Sequence, residues 1–226
     1  GMNEIDESVD GQNAAKQATS DDFYASMEKA GVTPLWDRYN ELIQPEPTPR
    51  DPGTQWRWDD LLPLVDRASA EIKTEDAERR VLMLLNPIFN GEPMTTTGMF
   101  GALQILLPGE MARVHRHTAT AFRFVMEGSG AQTTVNGKAC DMNEGDVILT
   151  PNWAWHEHAN PGSERVCWFD GLDVPLAAFY NVIFSEHGPA GNFPPDQSTL
   201  PDATYATAGL VADTKRDEVP YSPMFH

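Results

Sequence analysis

The chain has 226 residues and a formal net charge of −18, from 34 acidic and 16 basic side chains. A surface that acidic repels nucleic acid and anionic membranes, both of which are bound mainly through lysine and arginine, so neither is an expected partner. At 40% hydrophobic residues the chain can bury a core without staples, and its two cysteines, Cys140 and Cys167, have no metal-binding spacing, which excludes a thiolate zinc site. No apolar run approaches the ~20 residues of a membrane span and no leader pattern opens the chain, so a cytoplasmic protein is expected. Gly1 before Met2 reads as the scar of a removed tag.

Residues 1–20 are polar, with almost no large apolar groups, and are expected to be a disordered tail. A helical and proline-rich extension follows over residues 21–78. Phe23, Tyr24 and Met27 mark a short amphipathic helix with Ser20 or Asp21 as its N-cap. Pro45, Pro47, Pro49 and Pro52 rule out regular helix or central strand between them. Helix is expected again from Trp58 to Ile72, with Leu61, Leu62, Val65, Ala68 and Ile72 on one face and Asp59 and Asp60 in the first turn.

From residue 79 the period shortens. Strands are expected over Arg80–Leu85, Gly98–Leu107, Ala121–Glu127, the run ending at Val135, Asp146–Leu149 and Arg165–Leu172. Asn136-Gly137 between two such runs is a strong hairpin signal. Short strands at this spacing point to an all-β sandwich or barrel over residues 79–174. Residues 175–226 are expected to form a helix from Pro175 to Ser185 and then a linker-like tail.

Four of the six histidines fall between residues 115 and 158 as two His-x-His pairs, His115/His117 and His156/His158. Residues two apart on a strand share a face, so each pair can present both imidazoles on one side of a sheet. Histidines gathered this way suit a transition metal.

The spacing carries a resemblance. Gly109, five residues, His115-x-His117 and later Gly128 resemble the first cupin motif; Gly145, five residues, Pro151, then His156 and Asn160 resemble the second. The resemblance covers roughly residues 80–172 and implies a cupin, a double-stranded β-helix or jelly-roll barrel, behind the N-terminal helical extension. Two positions depart from the cupin pattern: Ala121 stands where a metal-binding Glu is usual, and Trp153 where Gly is usual. With the string Trp153-x-Trp155-His156-x-His158, with Arg79-Arg80-Val81-Leu82 and Asn86-Pro87, and with Phe122-Arg123-Phe124, the chain resembles the N-terminal cupin of the gentisate 1,2-dioxygenase family, which includes salicylate and 1-hydroxy-2-naphthoate dioxygenases.

That resemblance implies Fe(II) held by His115, His117 and His156. Three neutral imidazoles leave the ion its double positive charge and an octahedral ion three open positions, enough for a ring bearing adjacent carboxylate and hydroxyl groups and for O2. Zinc also suits three histidines plus water. Arg123 shares the face of Ala121 and so points into the barrel, where a guanidinium needs an anion. The resemblance gives Arg123 and Arg79 a grip on the substrate carboxylate; the alternative for each is an internal salt bridge. It places Gln104 near the substrate ring and His158, supported by Asp170, beside the substrate hydroxyl. Trp153 and Trp155 fit either the pocket wall or core packing, and His187 and His226 fit solvent.

Members of the family usually carry a second cupin domain. This chain ends about where the linker to it would run, so it is expected to be either a truncated piece or a natural single cupin. In both cases barrel edges left uncovered favour self-association into a homo-oligomer. The expected activity is ring cleavage of an aromatic acid such as gentisate with both atoms of O2 incorporated. The rival is a non-catalytic cupin that binds metal or aromatic acid.

Overall fold

The computed structural model describes residues 11–188 apart from residues 12, 50 and 78, and these fall into two units that divide at residue 51. The expectations for residues 1–10 and for the tail beyond residue 188 lie outside the described residues. Residues 13–18, within the stretch read as a disordered tail, are helical: Ala14, Ala15, Lys16, Gln17 and Ala18 are good helix formers.

In the first unit, α1 (Asp21–Lys29) starts where Ser20 accepts a hydrogen bond from the Phe23 N–H at 3.3 Å, with Asp21 and Asp22 in the first turn against the positive helix end. Single turns follow at Leu35–Asp37 and Tyr39–Leu42, and the Tyr24 hydroxyl donates to Asp37 Oδ1 at 3.0 Å.

The second unit opens with a stretch free of helix or strand, residues 51–57, then α2 (Trp58–Glu71). Its buried face, Val65 and Ala68, packs on Leu103, Ile105 and Cys167, so this helix belongs to the barrel. Arg165 fixes it from the side, donating to Asp66 at 2.7 Å and to Glu127.

Among the described residues ten strands make the barrel: β1 (Val81–Met83), β2 (Phe100–Leu106), β3 (Met111–His117), β4 (Ala121–Glu127), β5 (Ser129–Val135), β6 (Lys138–Asn143), β7 (Val147–Thr150), β8 (His156–Ala159), β9 (Val166–Leu172) and β10 (Ser185–His187). They form two five-stranded antiparallel sheets, ordered β1-β2-β9-β4-β7 and β10-β3-β8-β5-β6. Asn136 and Gly137, both at positive φ, close β5 onto β6 with Val135 opposite Lys138, the two-residue turn that the strand twist favours.

Alternation along the strands sorts inside from outside. Leu106, Val125, Ala131, Met142, Ile148, Val166 and Trp168 fill the barrel, while Leu103, Ile105 and Cys167 point the other way, toward α2. One departure from alternation matters for function. Ala112 faces His158 and His115 faces His156 across the β3–β8 pair, so β3 carries an extra residue at a β-bulge. The bulge lets Ala112 and the odd-numbered His115 and His117 share the inner face.

The helix expected over 175–185 is α3 (Val174–Phe179) only. Asn181 turns left-handed at φ 58, and the β-branched and aromatic run Val182-Ile183-Phe184 leads into β10. That strand pairs with β3, setting Ser185 opposite His117 and His187 opposite His115. Among the described residues no helix is long and apolar enough to cross a membrane.

Gly128 joins β4 to β5 at φ +85, and a Cβ there would lie 2.0 Å from the Arg165 carbonyl oxygen, an immovable backbone atom. Gly128→Ala is expected to cost about 2–4 kcal/mol, read as a fall in the thermal unfolding midpoint.

Candidate metal centre

His115 and His117 on β3 and His156 on β8 converge inside the barrel. One ring nitrogen of each lies within 4.8 Å of the others, and the ring centroids are 4.1 Å (His115–His156), 4.8 Å (His117–His156) and 5.6 Å (His115–His117) apart. The backbone sets their protonation. Nδ1 of His115 meets the Arg113 carbonyl at 2.8 Å, Nδ1 of His117 the Ala119 carbonyl at 2.7 Å, and Nδ1 of His156 the Ala154 carbonyl at 2.9 Å. A carbonyl only accepts, so each Nδ1 carries the proton and each Nε2 keeps its lone pair. The carbonyl serving His115 belongs to the bulge itself.

The Nε2 atoms of His115 and His156 are buried without a hydrogen-bond partner. Orphaned buried acceptors are costly, and a cation at their meeting point removes the cost. Three neutral nitrogens aimed at one point fit a first-row divalent ion. Ala121, buried at the start of β4, offers no fourth ligand.

Burial drives all these imidazoles away from protonation: His115 falls to about 3 and His156 to about 2, and His117 and the fully enclosed His158 are lowered too. The guanidinium charges of Arg79 and Arg123 act in the same direction on His115, His117 and His158. The unfolded chain takes up these protons near pH 6.5, so it binds more protons than the fold between there and about pH 3. The metal-free fold therefore loses stability as pH falls through that window, by up to about 1.4 kcal/mol per pH unit for each such histidine. Metal-free melts at pH 7.5, 6 and 5 should descend, and His115→Asn should flatten the descent; a midpoint constant from pH 7 to 5 contradicts the burial argument.

Across the barrel, the other sheet contributes Gln104 (β2), Arg123 (β4) and Asp170 (β9), all buried on its inner face. Arg123 Nε lies 3.0 Å from Asp170 Oδ1 without directing its N–H there, so the pair is ionic contact and not a hydrogen bond. Its NH1 donates to Thr150 Oγ1 at 2.5 Å. Asp170 Oδ2 accepts from Trp168 Nε1 at 3.0 Å. Burial raises the Asp170 carboxyl and lowers Arg123, and each charge opposes the other's shift.

The family resemblance implies Asp170 in support of His158; the Nδ1 partner of His158 is Thr133, at 2.8 Å. Thr133 was not anticipated, although a hydroxyl two residues beyond inward-facing Ala131 must find a partner. Gln104 Nε2 is buried with no partner, a donor ready for a ligand. Arg79 is half-buried just before β1, and its neighbour Arg80 is turned away into a bidentate pair with Glu110 at 2.7 and 2.9 Å.

Trp153 and Trp155 do not face the histidines. They sandwich Arg116, at 4.2 and 4.3 Å from its guanidinium carbon, on the outer side of β3, and Arg116 also pairs with Glu186 of β10. His187 is exposed as expected, and His226 lies outside the described residues.

Two antiparallel sheets closed over an inward three-histidine cluster define a cupin, and residues 102–175 match the cupin domain family. A gentisate 1,2-dioxygenase of a Streptomyces species is 44% identical over 170 residues, 75% of this chain and 48% of the relative. A 5-aminosalicylate 1,2-dioxygenase of a Comamonas species is 35% identical over 175 residues, 76% of this chain and 47% of the relative. The crystal structure of a salicylate 1,2-dioxygenase from Pseudaminobacter salicylatoxidans superposes with a TM-score of 0.66 at 35% identity, covering 77% of this chain and 51% of that one. The chain folds as a cupin, is similar to the gentisate 1,2-dioxygenases, and spans about half the length of the curated relatives it matches.

Proposed function

We propose that this chain is the metal-bearing part of a ring-cleaving dioxygenase that opens a hydroxylated aromatic carboxylate, such as gentisate, between its carboxyl- and hydroxyl-bearing carbons. The observation that carries the reading is the convergence of His115, His117 and His156, each tied through Nδ1 to a backbone carbonyl and each aiming a bare Nε2 inward. Fe(II) held there supplies the means to bring O2 and the two substrate oxygens together and to pass electrons between them.

The chain's own residues do the rest. Thr150 and Asp170 hold the Arg123 guanidinium in place before any ligand arrives, so it meets the substrate carboxylate without reorganising. Arg79 adds a second positive charge and the unpartnered Gln104 Nε2 a donor. Together they give an anion-attracting interior to a protein whose net charge is −18. His158, neutral in its buried position, takes the proton of the substrate hydroxyl.

The buried, unpartnered Nε2 atoms of His115, His156 and Gln104 are satisfied by binding alone, which supports a second reading, a cupin that holds metal and aromatic acid without turnover. One experiment separates the two: anaerobic loading with Fe(II), addition of gentisate followed by absorption, then admission of air. Ring opening supports the dioxygenase, a spectral change without oxygen uptake supports the binder, and no metal uptake removes both.

We also propose self-association. Phe179, Tyr180 and Phe184 leave 79%, 64% and 57% of their surface exposed on and after α3, apolar surface that a second copy of the chain would cover. Sedimentation should give a mass above one chain. The free thiols Cys140 and Cys167 suit a reducing compartment, and so the cytoplasm.

A further inference from the structure

Thr133 is fully buried on β5, directly opposite His158 on β8, and its hydroxyl touches two groups: His158 Nδ1 at 2.8 Å and Met142 Sδ at 3.1 Å. A hydroxyl has one proton and accepts through its lone pairs. If it donates to His158 Nδ1, the thioether, an acceptor only, is left pressed against an oxygen with no hydrogen between them. If it donates to Met142 Sδ, it accepts from a His158 Nδ1–H, and both contacts become hydrogen bonds. Buried polar groups settle in the arrangement that satisfies more of them.

We propose that Thr133, oriented by Met142, is a positioning residue that holds His158 in the Nδ1–H tautomer, so that a bare Nε2 is available as the proton acceptor for the substrate. Met142 is then more than filling: its sulfur is the acceptor that tells the hydroxyl which way to turn. The assignment puts His158 in the same tautomer as His115, His117 and His156, but by a side-chain relay where those three use backbone carbonyls. A relay of this kind is needed because Nδ1 of His158 meets Thr133 across the sheet and not a carbonyl of its own strand.

The catalytic consequence rests on the dioxygenase reading, whereas the tautomer does not, and the test keeps them apart. Ring-nitrogen shifts of the metal-free full chain, from long-range 1H–15N correlation above pH 7, report the tautomer with no turnover required. The parent is expected to show a protonated Nδ1 and a lone-pair Nε2 at His158, and Thr133→Ser to preserve them. Thr133→Val, close in shape but without the hydroxyl, should release the ring toward Nε2–H, which a free histidine side chain favours. Met142→Leu, a volume-conserving change, should do the same with the hydroxyl still present, because the proton then has only Nδ1 to go to. An Nε2–H tautomer in the parent overturns the proposal, as does a tautomer unmoved in both Thr133→Val and Met142→Leu.

In turnover of gentisate by the Fe(II)-loaded chain, Met142→Leu should lower kcat on the order of 10²-fold with metal stoichiometry and KM close to the parent's, whereas Thr133→Ser should keep most of the parent's kcat. If the parent itself shows no turnover, the dioxygenase reading fails while the tautomer result stands.

Discussion

His156→Ala is expected to abolish one-to-one metal binding and, with it, gentisate turnover by on the order of 10³-fold or more. His156 sits between its neighbours, with ring centroids 4.1 Å from His115 and 4.8 Å from His117, so its loss leaves two ligands that no longer enclose a point. The effect on the metal-free fold should be much smaller. Alanine gives up packing at a fully buried position, but it also removes an Nε2 that burial leaves without a partner, and the two changes oppose each other. The thermal midpoint with metal withheld should therefore stay within a few degrees of the parent's. The metal-induced rise in that midpoint, which grows with the ratio of free metal to its dissociation constant, should vanish. Metal analysis and paired melts check both halves. Retention of one equivalent of metal at parental affinity would show that the three imidazoles are not the site.

The histidine pairs were legible because strand alternation is local: two residues apart means one face, and spacing alone grouped His115 with His117 and His156 with His158. The Asn136-Gly137 turn was legible for the same reason, since both residues must take positive φ within a two-residue loop. What sequence could not supply is which strand lies opposite which. The β3 bulge is a relation between Ala112, His115 and their partners on β8, and alternation read along β3 alone puts Ala112 and His115 on opposite faces.

Which partner each polar side chain meets depends on strand pairing too: an internal salt bridge was one of the two readings of Arg123, but its partner could not be named from sequence. Thr133 meets His158, and Arg123 meets both Asp170 and Thr150, through pairings of β5 with β8 and of β4 with β9 and β7. Nothing in the spacing of those residues along the chain announces them. The shortened α3 is a different case. The Val182-Ile183-Phe184 run carried strand preference throughout, but helical reading ran across Asn181, where the chain turns left-handed.

The second large effect concerns Asp170. Asp170→Asn is expected to destabilise the fold by about 3–5 kcal/mol, because it leaves the buried Arg123 cation facing a neutral amide. Shape is preserved, and the amide oxygen can still accept from Trp168 Nε1, so the loss isolates the missing charge. Replacing both partners, as Arg123→Met with Asp170→Leu, should recover much of the stability, since a buried ion pair is often no better than packed apolar groups of its size. If stability alone cannot account for the pair, the proposed ligand can. An aromatic carboxylate entering the barrel brings back the negative charge that the Asp170→Asn variant lacks, so gentisate should raise the melting midpoint of that variant by more than it raises the parent's. Removing the cation should do the reverse: Arg123→Met should bind metal like the parent but gain little from gentisate. A gentisate response equal in all three proteins would mean that Arg123 is only a structural cation, and that the carboxylate is held elsewhere.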